Sequence, residues 1–283
     1  MNSPLFSILI ANYNNGNYFK DCYQSIVSQS YKNWECVIVD DASTDNSLEI
    51  INNLIKDDSR FRVFHNDKNR GCGYTKNRCA ELSNGKICGF VDPDDSISDN
   101  ALEIMVNHHI EEPDSTLIYS NFIYCDENLT PTKVKKNEQV PQGDSMFFNL
   151  NGNISHFSTF KKNIYNKTNG INKNLQRAVD QDLYLKLYEK GNVMHIVYDL
   201  YHYRIHSRGI STNSNTDKAH FWHWKVIIDA AERRNINIEN FFFEYFVRKN
   251  KYRQLEDRLR SLKNSRLLKI LYRLGLFKAY KYL

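Results

Sequence analysis

The sequence predicts an α/β chain that opens as a doubly wound parallel sheet. Three observations carry this. Short, nearly continuous apolar runs recur at Phe6–Ala11 (FSILIA), Cys36–Val39 (CVIV) and Ile87–Val91 (ICGFV). Such runs, bounded by polar turns, suit strands buried on both faces. Helical patterns lie between them. Polar groups then collect where the runs stop, at Asn12-Tyr13, Asp40-Asp41 and Asp92 to Asp95. In open α/β sheets, ligands bind at the carboxyl ends of the strands.

Taken in order, Phe6–Ala11 is the first strand. Tyr18 to Gln29 places Tyr18, Cys22, Ile26 and Val27 on one helical face. Cys36–Val39 is the second strand. Ser47 to Ile55 groups Leu48, Ile51, Leu54 and Ile55, with Ser43 and Asp45 as candidate N-caps. Phe61–Phe64 reads as a further strand and Ile87–Val91 as the next, which completes β-α-β-α-β. Asp99-Asn100 suits a helix start. The stretch from Glu111 to Gly170 is less regular, apart from a strand at Leu117–Tyr124. Val179–Tyr188 opens with acids and reads as a helix. Tyr198–Ile205 alternates like a strand.

The chain has 283 residues, 41% hydrophobic and 25% charged, which suits one large α/β domain with appendages. No apolar run approaches the roughly 18–20 residues that a bilayer crossing needs. The N-terminus, MNSPLFSILIANYN, has no basic region and no small-residue cleavage site, so no signal peptide and a cytoplasmic setting are expected. The six cysteines, none in a C-x-x-C pair, are expected as free thiols. Neither G-x-G-x-x-G nor G-x-x-x-x-G-K-[ST] follows the first strand, which disfavours a dinucleotide dehydrogenase and a P-loop NTPase.

Charge is uneven. Asn240 to Leu283 holds twelve Lys/Arg and three Asp/Glu, a net of +9, so the whole-chain +5 leaves −4 for the remainder. Leu255 to Leu274 reads as one basic amphipathic helix, with leucines and Ile270 at spacings of three and four. Three partners suit it: the body of the protein, an anionic membrane surface at the inner face, or nucleic acid. The last is disfavoured, because no recognition motif accompanies the charge.

The most informative stretch is Phe90-Val91-Asp92-Pro93-Asp94-Asp95-Ser96. Asp and Pro there also make a good turn. But clustered carboxylates repel unless a cation offsets them, and hard oxygen ligands suit Mg²⁺ or Mn²⁺. Such an ion commonly takes phosphates as its other ligands.

Here the sequence resembles glycosyltransferase family 2. Ala11 to Asn15 (ANYNN) resembles the family's first nucleotide-contacting loop, and Val39 to Asp45 (VDDASTD) its V-D-D-G-S-x-D. Asn69-Arg70-Gly71 through Lys76-Asn77 resembles N-x-G…A-R-N, and Asp92 to Asp95 the D-x-D-D signature. Ala178 to Leu183 (AVDQDL) resembles E-D-x-D-L, and Tyr203-Arg204-Ile205-His206 with Ser211 resembles Y-R-x-H…S. The chain departs at Ala42 for Gly, Lys76 for Arg and Val179 for Glu.

The resemblance implies a GT-A fold: a Rossmann-like nucleotide-binding half (residues 1–96), an acceptor half (97–216) and a mixed central sheet. Residues 217–283 match no motif of the family and read from their own pattern as a helical, basic amphipathic C-terminal extension. It implies a metal-dependent inverting transferase that uses a UDP-sugar and Mn²⁺ or Mg²⁺. The acceptor would be a saccharide or lipid-linked saccharide in glycan or polysaccharide synthesis. A non-catalytic sugar-nucleotide-binding or scaffold protein is the alternative. By residue, Ala11 and Tyr13 would line the base pocket and Asp41 would accept from a pyrimidine N–H. Arg70 and Lys76 would neutralise phosphate. Asp95 would bind the metal directly, Asp94 would serve ribose and metal, Asp92 would support, and His206 would complete the metal shell or stay structural. Asp180 would be the general base, with His156 and Asp182 on the acceptor side. Asp40-Asp41, Asp180 and Asp182 also suit helix starts.

Overall fold

Strand β1 (Phe6–Asn12) and strand β2 (Trp34–Asp40) are buried almost throughout and pair in parallel, Phe6 opposite Trp34 and Asn12 opposite Asp40. Burial on both faces is why these segments read as continuous apolar runs and not as alternation. Between them runs α1 (Gly16–Val27), and α2 (Ser47–Ile55) follows β2. The two helices meet at Gly16, where a Cβ would lie 2.4 Å from the Ser47 Cα. The Gly16 N–H donates to Ser47 Oγ at 2.8 Å. Neither Ser43 nor Asp45 caps α2 as expected. Asn46 holds the N-cap position, the Ser43 hydroxyl donates to Asp40, and Asp45 accepts from the Ser47 N–H at 2.9 Å.

The computed structural model describes residues 3–207 and 216–282. After β3 (Phe61–His65) comes α3 (Cys72–Leu82), a helix the sequence did not announce. Its buried residues include Gly73, Thr75, Lys76 and Asn77, so its inward face is small and polar and leaves no apolar period to read. Next are β4 (Ile87–Phe90), the two-residue β5 (Ser96–Ile97), and α4 (Ala101–Glu111), which starts after Asn100 as expected. Strand β6 (Ser115–Cys125) carries the short edge strand β7 (Pro131–Lys135). Strand β8 (Ser158–Lys161), the single turn α5 (Lys162–Tyr165), α6 (Val179–Tyr188) and the thirteen-residue β9 (Asn192–Arg204) complete the sheet region.

The strands form one mixed sheet in the order β3-β2-β1-β4-β8-β6-β9-β5, with β7 on β6. The first four are parallel. Strand β8 is antiparallel to both β4 and β6, while β6 and β9 are parallel. The ends of β1, β2 and β4 and the beginning of α6 converge on the acidic groups described below.

The first compact unit spans Met1–Ala230 and the second Ala231–Leu283. Helix α7 (Thr216–Arg234) begins at the expected boundary, but its buried Trp224, Val226, Ile227 and Ala230 all fall in the first unit. In the second unit, α8 (Glu239–Phe242) leads through a π-helical turn (Phe243–Arg248) into α9 (Lys249–Asn264). The single helix expected over Leu255–Leu274 is interrupted. Ser265 is extended (φ −60°, ψ 121°) and caps a separate α10 (Arg266–Arg273). Among the described residues no helix is long and apolar enough to cross a membrane. All six cysteines are unpaired.

One buried group makes stability depend on pH. His109 on α4 is 4% exposed, with Nε2 2.9 Å from Thr159 Oγ1. Burial, reinforced by nearby Lys161, lowers its pKa to about 3. The unfolded chain binds this proton near pH 6.5. The folded chain refuses it until about pH 3. Stability is therefore lost as pH falls between those values, by at most about 1.4 kcal/mol per unit. Urea midpoints measured at pH 7 and pH 5 should fall less for His109→Asn than for the unsubstituted protein. Equal slopes would remove His109 from this account.

Candidate active site

Asp41, at the end of β2, is a buried strap. Its Oδ1 accepts from Asn66 Nδ2 (2.6 Å) and the Arg70 N–H (2.8 Å), and its Oδ2 accepts from the Gly71 N–H (2.8 Å). These bonds hold the loop that leads into α3, where Gly71 takes φ +90°, open chiefly to glycine. A cavity of about 270 Å³ lies against this strap. Ala11, Tyr13 and Asp41 line it together, joined by Thr75. Gln176 and Arg177 close the other side, and no spacing in the sequence indicated them. Two lone pairs per oxygen leave one acceptor position on Asp41 Oδ2 beyond these bonds.

Arg70 is not brought into this cavity. Its guanidinium lies 3.6 Å from Asp67 and 4.9 Å from the Tyr74 ring centre, so only its backbone serves the site. Ala42 stands in left-handed backbone (φ 58°), which explains why glycine suits that position.

Helix α3 next presents Lys76, whose side chain is only 4% exposed. Its ammonium lies 2.8 Å from Asp180 Oδ1 and 3.0 Å from Asp92 Oδ1. This cation, expected to neutralise phosphate, bridges two carboxylates in this structure. Burial would lower the lysine pKa, but Asp180 and Asp92 hold it well above the usual range. Burial pushes the Asp180 carboxyl up, but Lys76 and then His156 more than offset this, so it titrates below the usual carboxylate range. Asp180 is closely surrounded, yet 32% of its side chain stays open to solvent. It sits in the first turn of α6, two residues after the N-cap Ala178, which is in left-handed backbone (φ 55°).

The acidic loop divides its labour differently from the expectation. Asp95, expected to contact a metal directly, is 2% exposed. Its Oδ1 accepts from the Arg204 N–H (2.8 Å) and its Oδ2 from the Tyr201 hydroxyl (2.7 Å). Burial, with Asp94 and Asp92 adding repulsion, raises its pKa well above the ordinary value. Asp95 therefore pins the loop to β9. Arg204 extends the clamp, donating to the Asp94 carbonyl (2.6 Å) and to Asp21 (2.7 Å).

Asp94 instead meets His206: Oδ2 and Nε2 are 2.8 Å apart, and the imidazole lies 4.7 Å from the Tyr18 ring. The two side chains are hydrogen-bonded to each other, and a carboxylate beside an imidazole is a pair of groups that could hold a divalent ion. Among the described residues no three His, Cys, Asp or Glu side chains are arranged to hold an ion by themselves. Ser211 lies outside the described residues.

His156, expected on the acceptor side, stacks on Tyr201 (4.7 Å between ring centres, 17° between planes). Asp182 is not part of the cleft. Buried in α6, its Oδ2 accepts from the Asn172 N–H and from Lys186, each at 2.8 Å. Of the two acids that open α6, only Asp180 is open to solvent.

The fold is of the GT-A type, with a pocket at the strand ends, an acidic loop and a separate carboxylate at a helix start. S. aureus TarS 1-349, in complex with UDP-GlcNAc, matches with a TM-score of 0.65 at 20% identity, over 79% of this chain and 65% of that one. The mannosyltransferase PcManGT from Pyrobaculum calidifontis, in complex with GDP-Man and Mn²⁺, matches with a TM-score of 0.66 at 14% identity. That match covers 99% of this chain and 82% of the other. These likenesses establish the fold.

Residues 7–169 match Glycosyl transferase family 2. The chain belongs to that family. A chondroitin synthase from Pasteurella multocida is 27% identical over 241 residues, covering 84% of this chain. This chain spans 24% of that relative's length.

Proposed function

We propose that this chain transfers a sugar, with inversion, from a UDP-sugar to a hydroxyl of a saccharide or lipid-linked saccharide, in glycan or polysaccharide synthesis. The observation that carries this is Asp180, an accessible carboxylate kept ionised by Lys76, which also bridges it to the acidic loop. The relatives add support: the TarS structure holds UDP-GlcNAc and the Pasteurella relative is a chondroitin synthase.

The base sits against Ala11 and Tyr13, with its ring N–H directed at Asp41 Oδ2. Asp94 and His206 would hold Mn²⁺ or Mg²⁺, which when bound offsets the diphosphate charge and stabilises the leaving group. Lys76 occupies one oxygen of Asp180 and leaves the other for the acceptor. As the acceptor oxygen bonds to the anomeric carbon, its proton passes to Asp180. The bond from that carbon to the diphosphate oxygen breaks on the opposite face, and its electron pair leaves with the nucleoside diphosphate.

Thermal unfolding with UDP, GDP and dTDP, each with and without MnCl₂, tests the reading. UDP with Mn²⁺ should stabilise by about 2.7 kcal/mol at a hundredfold excess over Kd. A larger shift with GDP would remove the role given to Asp41. An equal shift without the ion would remove the role given to Asp94 and His206.

A further inference from the structure

The second compact unit leaves apolar surface uncovered in an ordered pattern. On α10, Leu267, Ile270 and Leu274 recur at spacings of three and four and are 65%, 52% and 65% exposed. Leu268 and Leu271, on the neighbouring face, are half-buried. Arg266, Lys269 and Arg273 border the exposed stripe along one edge, at helical positions beside it. Helix α9 repeats the design, with Tyr252, Leu255, Leu259 and Leu262 exposed in a line among Lys251, Arg258 and Lys263. The break at Ser265 separates the two stripes, so each helix presents its own apolar line.

Exposed apolar rows of this kind mark an interaction surface. Their charge selects the partner. Asn240 to Leu283 carries a net +9. A second copy of this unit would bring like charges together, whereas an anionic lipid surface would meet them with opposite charge. Apolar stripes edged by cations are also the signature of helices that lie in the headgroup region.

We propose that Lys249–Arg273, followed by Leu274 and Leu276, forms an interfacial anchor for anionic membrane lipid. The leucines and Ile270 enter the acyl boundary while the flanking cations meet lipid phosphates. The anchor does not depend on the transfer chemistry proposed above.

Co-sedimentation of the full chain with vesicles tests this. Phosphatidylcholine vesicles containing about one third phosphatidylglycerol should pellet the protein, and pure phosphatidylcholine vesicles should not. Raising NaCl from about 0.1 M to about 0.5 M should weaken binding by about tenfold. The double variant Ile270→Asp, Leu274→Asp should stay in the supernatant, while its transfer to a water-soluble acceptor and its melting temperature are unchanged. Three results would overturn the proposal: no binding by the unsubstituted protein, equal binding to neutral vesicles, or undiminished binding by the variant. Light scattering supplies a fourth: an oligomer that the double substitution splits, in a protein that ignores vesicles, would assign the stripes to a second copy.

Discussion

Replacing Asp180 by Asn should reduce sugar transfer by about a thousandfold, with the fold retained. The substitution keeps the side chain's volume and its place in the first turn of α6. It replaces the basic carboxylate that would take the acceptor's proton with a neutral amide. Lys76 then keeps Asp92, 3.0 Å away, as its carboxylate partner, so the buried ammonium is not stranded. Nucleotide binding should change little, because the base pocket is built around Asp41 and not around α6. Thermal shifts by UDP measured alongside initial rates separate the two effects. Transfer within about tenfold of the unsubstituted rate would exclude Asp180 as the base.

Lys76→Met should have the second largest effect, on stability and on pH dependence together. It leaves Asp92 and Asp180 facing each other without the cation that now joins them. Breaking a fully buried pair costs about 3–5 kcal/mol, but both carboxylates retain solvent contact, so a loss on the order of 2 kcal/mol is expected. The sign of the pH effect follows from the Asp180 shift. In the intact protein its carboxyl titrates below the ordinary value, so it supports folding above pH ~3.9 and that support fades as pH falls through the lowered pKa. Without Lys76, burial is no longer outweighed and the carboxyl rises. The acid limb of the kcat/KM profile should then move to higher pH, and Lys76→Arg should restore it. An unchanged acid limb with an unchanged urea midpoint would show that the bridge does nothing.

The parallel half of the fold was legible because its strands are buried on both faces and break at polar turns. Runs such as CVIV have no other comfortable reading in a soluble domain. Helix α3 was not legible, because the face it buries is Gly73, Thr75, Lys76 and Asn77 with only the small Cys79 and Ala80 as apolar members. Periodicity arguments see apolar faces, and a helix that lines a polar site has little of one. Strand β7, exposed along nearly its whole length, escaped for the related reason that an edge strand has little burial to betray it.

The site was legible as a set of residue types and less so as a set of partners. Asp92, Asp94 and Asp95 stand together in sequence, but their roles come from groups on β9 and α3. The Tyr201 hydroxyl and the Arg204 N–H claim Asp95, which leaves Asp94 to face His206. Asp180 and Asp182 look alike at a helix start, yet Lys186 one turn on claims Asp182 and Lys76 claims Asp180. Spacing shows that carboxylates are near one another and does not show which cation reaches which.

The acidic loop is also a matter of timing. Asp94 is secured by His206, 112 residues later, and Asp95 by Arg204, 109 residues later. During synthesis the parallel strands β1 to β4 precede β9, and Asp94 and Asp95 at their ends then repel one another with neither His206 nor the Arg204 N–H to hold them. The ribosome must deliver β9 before the loop takes its working shape. A nascent chain halted before residue 200 should therefore be unable to capture a nucleotide–ion complex, even with its base pocket complete.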